Sequence, residues 1–261
     1  MKETDREAIL KIKAMRNFKI TIQYDGTRYQ GWQRQDSTNN TIQGKFEAIL
    51  AKMTGLKFVQ IDGSGRTDAG VHALGQVANF KIDTDMTAKE VMAYINQYLP
   101  EDIGVIAIQE MPERFHSRLN AKRKTYCYRI WNTDIPCIFS HRYVYEMPEE
   151  LDLEAMRLAA ACLVGKHDFK AFTSTKKSKK STVRTIDSVE IDRNDNEVVI
   201  TYSGDGFLYH MVRILTGTLI EVGLGQRSPM SMQVLLEKDA TRDMAGALVP
   251  AKGLCLVEVR Y

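Results

Sequence analysis

Apolar positions along the chain switch repeatedly between a period of two and a period near 3.6. Phe18, Ile20, Ile22 and Tyr24 alternate with polar residues, which predicts a half-buried strand over 18–24. A polar, glycine-containing loop over 25–40 follows. Asn40 with Gln43 predicts a capping box, opening a helix with Ile42, Phe46, Ile49, Leu50 and Met53 on one face and Gly55 past its end. A strand is expected over 77–82. Thr87 and Glu90 then cap a second helix, which Pro100 must end. Further strands are expected near 103–108 and 125–131.

The second half repeats this rhythm, with little residue identity to the first. It predicts a helix over 152–164 closed by Gly165, then a hairpin of strands 187–192 and 198–203 turning at Asn194-Asp195-Asn196. A long apolar helix over 207–222 comes next, then a shorter one after Ser228-Pro229, and a last strand over 254–261. Helices and hairpins mixed in both halves predict an α+β fold, mainly an antiparallel sheet with flanking helices.

Composition narrows the class. The 261 residues are 44 % hydrophobic and 26 % charged, which excludes a disordered chain. No apolar run approaches the roughly 20 residues of a transmembrane helix, so no membrane partner is expected. Residues 1–14 set charged residues among single apolar ones and lack the continuous core of a signal peptide. Met15 reads as the start of the domain, making 1–14 an extension behind an upstream start. Cys127, Cys137, Cys162 and Cys255 form no Cys-x-x-Cys pair, and the five histidines show no His-x-x-x-His spacing. Zinc-ribbon and thioredoxin-like readings fail, and reduced thiols in a cytoplasm are expected.

The net charge of +3 hides an asymmetry. Between 112 and 131, Arg114, Arg118, Lys122, Arg123, Lys124 and Arg129 face one acid, Glu113. Between 166 and 184, Lys166, Lys170, Lys176, Lys177, Lys179, Lys180 and Arg184 face only Asp168. These two stretches carry +11, leaving −8 on the rest of the chain. Basic stretches on an acidic body suit a polyanion. A solvated lysine-rich loop explains 176–180 equally well. The first stretch interleaves Phe115, Tyr126, Tyr128 and Trp131 with its cations, a pattern that holds looped or single-stranded RNA bases.

Two segments break local rules, as functional segments do. In Asp62-Gly63-Ser64-Gly65-Arg66-Thr67-Asp68-Ala69-Gly70-Val71-His72, Asp68 occupies the third glycine position of a dinucleotide fingerprint, and Asp62 removes a nucleophile elbow. What remains is Arg66 and Asp68 on a glycine-framed loop before a strand. The plain alternative is an aspartate stabilising its own turn. The second segment, over 207–220, is apolar almost all round, with Arg213 in its middle. A buried guanidinium needs a partner. Glu221, eight residues along the same face, is roughly 12 Å away. Asp68 is the attractive candidate, and a carboxylate so paired would stay ionised at neutral pH; the alternative is a snorkelling surface arginine.

Tyr24-Asp25-Gly26-Thr27-Arg28-Tyr29-Gln30-Gly31-Trp32-Gln33-Arg34-Gln35, Gly65–His72, Phe207–Arg213 and Pro250-Ala251-Lys252-Gly253-Leu254 together closely resemble the bacterial tRNA pseudouridine synthases, over about 15–261. The resemblance implies isomerisation of uridine to pseudouridine in the anticodon stem-loop of tRNA, at positions 38, 39 and 40. It also implies a homodimer in which one tRNA touches both subunits. Asp68 then corresponds to the family's nucleophile and Arg213 to its paired arginine. Tyr126 corresponds to the tyrosine that stacks on the target base, and Leu254 to a pocket-floor leucine. Arg66 is a candidate for holding the displaced strand. The expected arrangement is two related α+β halves, 15–112 and 113–261, around a central basic cleft. Beyond Arg114, Arg118, Lys122, Arg123 and Lys124, the candidate RNA contacts are Arg28 and Arg34 and the run Lys176, Lys177, Lys179 and Lys180. The isomerisation is redox-neutral, so neither cofactor nor metal is expected. A non-catalytic RNA-binding protein fits charge and aromatics equally well, but has no need of a buried carboxylate–guanidinium pair facing RNA. A metal-dependent RNA hydrolase would need clustered acids or histidines that the motifs lack.

Overall fold

A computed structural model describes residues 15–175 and 181–261; the 1–14 extension and the lysines of 176–180 lie outside the described residues. Alternation of apolar and polar residues builds β1 (Arg16–Tyr24), whose Phe18, Ile20, Ile22 and Tyr24 are all buried. Along the chain follow β2 (Ile61–Gly63), β3 (His72–Ile82), β4 (Ile103–Met111) and β5 (Arg123–Trp131). The remaining strands are β6 (Tyr145–Glu146), β7 (Gly165–Asp168), β8 (Val183–Asn194), β9 (Glu197–Gly204) and β10 (Leu254–Arg260). The helices are α1 (Ile42–Thr54), α2 (Ala88–Tyr98), α3 (Leu153–Ala161), α4 (Met211–Gly223) and the single turn α5 (Ser231–Val234).

One sheet runs through the protein in the order β4-β1-β3-β10-β5-β9-β8-β7, with β2 beside β3 and β6 beside β5. The same antiparallel pattern occurs twice. In the first half β1 lies between β4 and β3, with β2 on β3; in the second β5 lies between β10 and β9, with β8 on β9. The last strand joins the halves: β10 is antiparallel to β5 and pairs in parallel with β3 at His72 and Ala73. That register sets the glycine-rich loop before His72 beside Leu254. The fold is therefore the expected α+β arrangement, mainly antiparallel, with parallel pairing where β10 meets β3 and where β6 meets β5.

The helix ends show which local rules operate. Thr87 and Glu90 form the expected capping box of α2. At α1 the cap is Thr41 rather than Asn40: its hydroxyl accepts from Gly44 N–H, while Gln43 turns to Glu47. Gly55 closes α1 in the left-handed region at φ 71°. Helix α3 stops at Ala161, three residues short of expectation, so that Gly165 opens β7. Helix α4 starts at Met211 rather than 207, because His210 sits at φ 65° and breaks the helical run. Its side chains are buried apart from those of Arg213 and Glu221.

Helix α4 is buried against the backbone of 245–249, and glycines on both sides permit this. A Cβ at Gly217 would meet the Ala247 carbonyl, and one at Gly246 would stand 2.6 Å from Thr218 N. Gly246 N–H donates to the Thr218 hydroxyl at 2.9 Å. Alanine ordinarily stabilises a helix relative to glycine by about 1 kcal/mol. Here the sign reverses: Gly217→Ala is expected to destabilise by about 1–3 kcal/mol through overpacking. A thermal melt checks this, and an unchanged or raised Tm contradicts the packing.

Candidate active site

The loop between β2 and β3 is clamped from several sides. Trp32 N–H donates to Thr67 O at 3.0 Å and Gly70 N–H to Tyr29 O at 3.2 Å, which lays the polar loop after β1 against it. That approach requires Gly31, which sits at φ +89° and whose Cβ would stand 2.6 Å from Thr67 O. The Tyr24 and Thr67 hydroxyls share a 2.8 Å bond, and the Gln76 amide donates to Gly65 O at 3.1 Å. At the loop's end His72 is buried. Gly26 N–H donates to its Nδ1 at 3.0 Å, and burial lowers its pKa although Asp25 lies alongside.

From the second half, Lys124 on β5 donates from Nζ to Ser64 O at 2.8 Å. Burial, reinforced by Arg118 and Arg184, brings this ammonium down to about 8. Asp68 meets α4. Arg213 Nη1 donates to Asp68 Oδ2 at 3.2 Å, and Arg213 Nε donates to Val249 O at 2.8 Å, so two bonds hold the guanidinium plane. The side chains are 12 % (Arg213) and 19 % (Asp68) exposed, which excludes a snorkelling arginine. The Asp68 carboxylate accepts no described bond from its own loop, so it is not a turn brace. His210 is the unforeseen neighbour: its Nε2 lies 3.5 Å from Asp68 Oδ2, and its Nδ1 is 2.8 Å from the Ser174 hydroxyl. In the sequence it is absorbed into the apolar helix expected over 207–222, three residues before Arg213, and nothing sets it apart.

These groups open on a cleft of about 1490 Å³, larger than the roughly 300–1,000 Å³ of small-molecule sites. Tyr126 and Leu254 line it, and the Tyr126 ring meets Phe207 edge-on at 5.2 Å. Among the described residues its charged lining is one acid, Asp68, and seven cations: Arg66, Arg118, Lys124, Lys170, Arg184, Arg213 and Arg242. Lys170 and Arg184 come from the second basic stretch, whereas nothing around Arg242 marks it in the sequence. Among the described residues no group of His, Cys, Asp or Glu could hold a metal.

Several expected RNA contacts lie outside this lining. Arg28 pairs with Asp102 at 2.7 Å, and Arg123 with Asp187 at 2.6 Å. Arg34 lies 3.4 Å from Glu47 and over the Phe58 ring. Arg114 lines a separate cavity with Phe58 and Phe115. Lys122 is exposed beside the end of β10.

A family model described as tRNA pseudouridine synthase matches residues 20–120 and 159–261. The chain is 50 % identical over 248 residues to a "tRNA pseudouridine synthase A" of Bacillus sp. (strain KSM-64), covering 95 % of this chain and all of that protein. It is 46 % identical over 247 residues to a "tRNA pseudouridine synthase A 2" of Bacillus anthracis, with the same coverage. A "tRNA pseudouridine synthase A 1" of Clostridium tetani is also 46 % identical over 247 residues, again with 95 % of this chain and all of that protein covered.

The depressed Lys124 ammonium has a consequence for stability. Above about pH 8 the folded protein sheds this proton, while the unfolded chain holds it to the usual lysine value near 10.5. The unfolded state then binds more protons, so this group's contribution to stability rises with pH across that window. Urea unfolding of the wild type and Lys124→Met is expected to diverge in the wild type's favour between pH 8 and 10. Parallel curves contradict the buried ammonium.

Proposed function

The chain belongs to the tRNA pseudouridine synthase family, and we propose that it acts on the anticodon stem-loop of tRNA, at positions 38, 39 and 40, with Asp68 as nucleophile. It is an isomerase that converts uridine in tRNA to pseudouridine. The observation that carries the residue assignment is the single carboxylate, tied to Arg213, in a cleft whose other charged lining is cationic.

The reaction breaks N1–C1′ and forms C5–C1′ without net oxidation, so a carboxylate that adds covalently to the nucleoside suffices and no cofactor is proposed. Arg213 holds Oδ2, which leaves Oδ1 free to react, and stabilises the carboxylate each time it is released. A stacked uridine cannot reach a recessed Asp68, so the nucleotide must flip out of its helix. Tyr126 offers the stacking face, Leu254 packs beside it, and exposed Arg66 holds the strand left behind. Phosphates follow Arg118, Lys124, Lys170, Arg184 and Arg242. Arg114 and Lys122 extend that track, and Lys176, Lys177, Lys179 and Lys180, which lie outside the described residues, are proposed as further RNA contacts. Arg28, Arg34 and Arg123 have their charge answered by acids and contribute less. A homodimer in the cytoplasm, with one tRNA spanning both subunits, completes the reading.

Asp68→Asn is expected to abolish pseudouridine formation while leaving the tRNA Kd within a few-fold, since an amide cannot add to the nucleoside and affinity rests on phosphates. Turnover near the wild-type rate would remove Asp68 from the chemistry. The phosphate track has its own test. Arg118→Gln and Arg184→Gln should each flatten the log–log salt dependence of tRNA binding by about 0.7–0.9, with turnover at saturating tRNA hardly changed. Arg28→Gln should leave the slope alone. Equal slopes for all three variants would move the RNA path elsewhere.

A further inference from the structure

Pseudouridine formation moves a proton as well as a bond. Once C5 has joined C1′, C5 carries both the sugar and its hydrogen. That hydrogen must leave as a proton, its electron pair forming C5=C6 while the C6=N1 pair moves to N1, which takes a proton from water. The groups beside Asp68 are poor acceptors with one exception. Arg66, Arg213 and Arg242 stay charged. Lys124 is turned onto the Ser64 carbonyl, and Tyr126 carries a phenolic proton that burial holds firmly.

We propose that His210 is the acceptor of the C5 proton. This rests on the reading of Asp68 as the group that holds the nucleoside. The geometry is specific. His210 lines the cleft with Nε2 at 3.5 Å from Asp68 Oδ2, while Nδ1 is engaged by the Ser174 hydroxyl at 2.8 Å. In the tautomer whose Nδ1–H donates to the Ser174 hydroxyl, the one the proposal requires, Nε2 presents its lone pair beside the carboxylate, where the nucleoside must lie. The left-handed backbone at His210, φ 65°, aims the ring across the start of α4, and Tyr209 stacks on its outer face at 3.7 Å between centroids. The charged groups facing the ring are Asp68 from the glycine-rich loop, Arg213 from α4 and Arg242 from the turn at Arg242–Met244. Burial first, then the two arginines, outweigh Asp68 and lower the imidazole's pKa, so the ring is neutral and able to accept near pH 7. The imidazolium formed passes its proton to water in the open cleft.

The test uses the full-length protein and tRNA transcripts carrying hydrogen or deuterium at uridine C5, in single-turnover reactions at saturating tRNA. His210→Asn is the first variant, because asparagine tolerates a left-handed backbone. It should slow pseudouridine formation by about 10²–10⁴-fold, the usual range for a lost general base, with the tRNA Kd within a few-fold. A deuterium effect should appear, or grow beyond that of the wild type, because C5–H cleavage has become limiting. His210→Gly should recover part of its rate with added imidazole, a rescue that a structural role would not show. Ser174→Ala should change the acid limb of the rate profile without matching the loss in His210→Asn. The proposal is overturned by a folded His210→Asn within a few-fold of the wild type. A slow variant with no deuterium effect and no imidazole rescue also overturns it, making His210 a positioning residue for Asp68. An inactive Asp68→Asn beside a fully active His210→Asn would retain the nucleophile and reject only the proton acceptor.

Discussion

The ion pair between Asp68 and Arg213 joins residues 145 apart in sequence and couples the two halves at their seam. Each charge is costly to bury alone, and removing one partner of such a pair leaves the other uncompensated. The structure meets this cost by fixing both partners before any substrate arrives. Asp68 rides on a loop clamped by the backbone of Tyr29 and Trp32 and by the side chains of Tyr24 and Gln76. Arg213 is held by Val249 O, which stands where it does because Gly217 and Gly246 let 245–249 press onto α4. Close packing of a helix thus determines where a carboxylate points.

The same seam concentrates positive charge. Strand β5 brings Lys124 to the glycine-rich loop, and the second basic stretch adds Lys170 and Arg184, whereas arginines elsewhere are answered by Asp102, Glu47 and Asp187. Arginines away from the cleft are answered by acids of their own, whereas within it Asp68 answers Arg213 alone. Seven cations around the carboxylate favour the approach of a polyanion to the reacting group. Lys124 shows the cost of that position, since burial first, and then Arg118 and Arg184, hold its ammonium well below the usual lysine value.

Much of this was legible in the sequence, for physical reasons that differ by element. Period-two alternation announced β1 because one register buries all four of its large apolar residues. An arginine in an apolar helix announced its own need for a partner. The strands β2, β6 and β7 span two to four residues, too few for any period to emerge, and they exist only because a longer neighbour offers an edge. Thr41 displaced Asn40 as the cap because its hydroxyl reaches Gly44 N–H, a choice between adjacent residues that composition does not make. Arg28 and Asp102 are 74 residues apart, and local charge counting has no access to such a pair.

His210 is the residue whose meaning depends most on structure. A histidine three positions before a buried arginine reads as one more residue of an apolar helix, and on that reading α4 begins at 207. Its φ of 65° ends the helix at Met211 instead, a conformation that costs a non-glycine residue about 1–3 kcal/mol. Such a cost persists only where surrounding contacts impose it. Here Ser174 on one ring nitrogen and Tyr209 against the ring face do so. The strain brings an imidazole whose pKa burial lowers to within 3.5 Å of the carboxylate, in a cleft whose other charged lining is arginines and lysines.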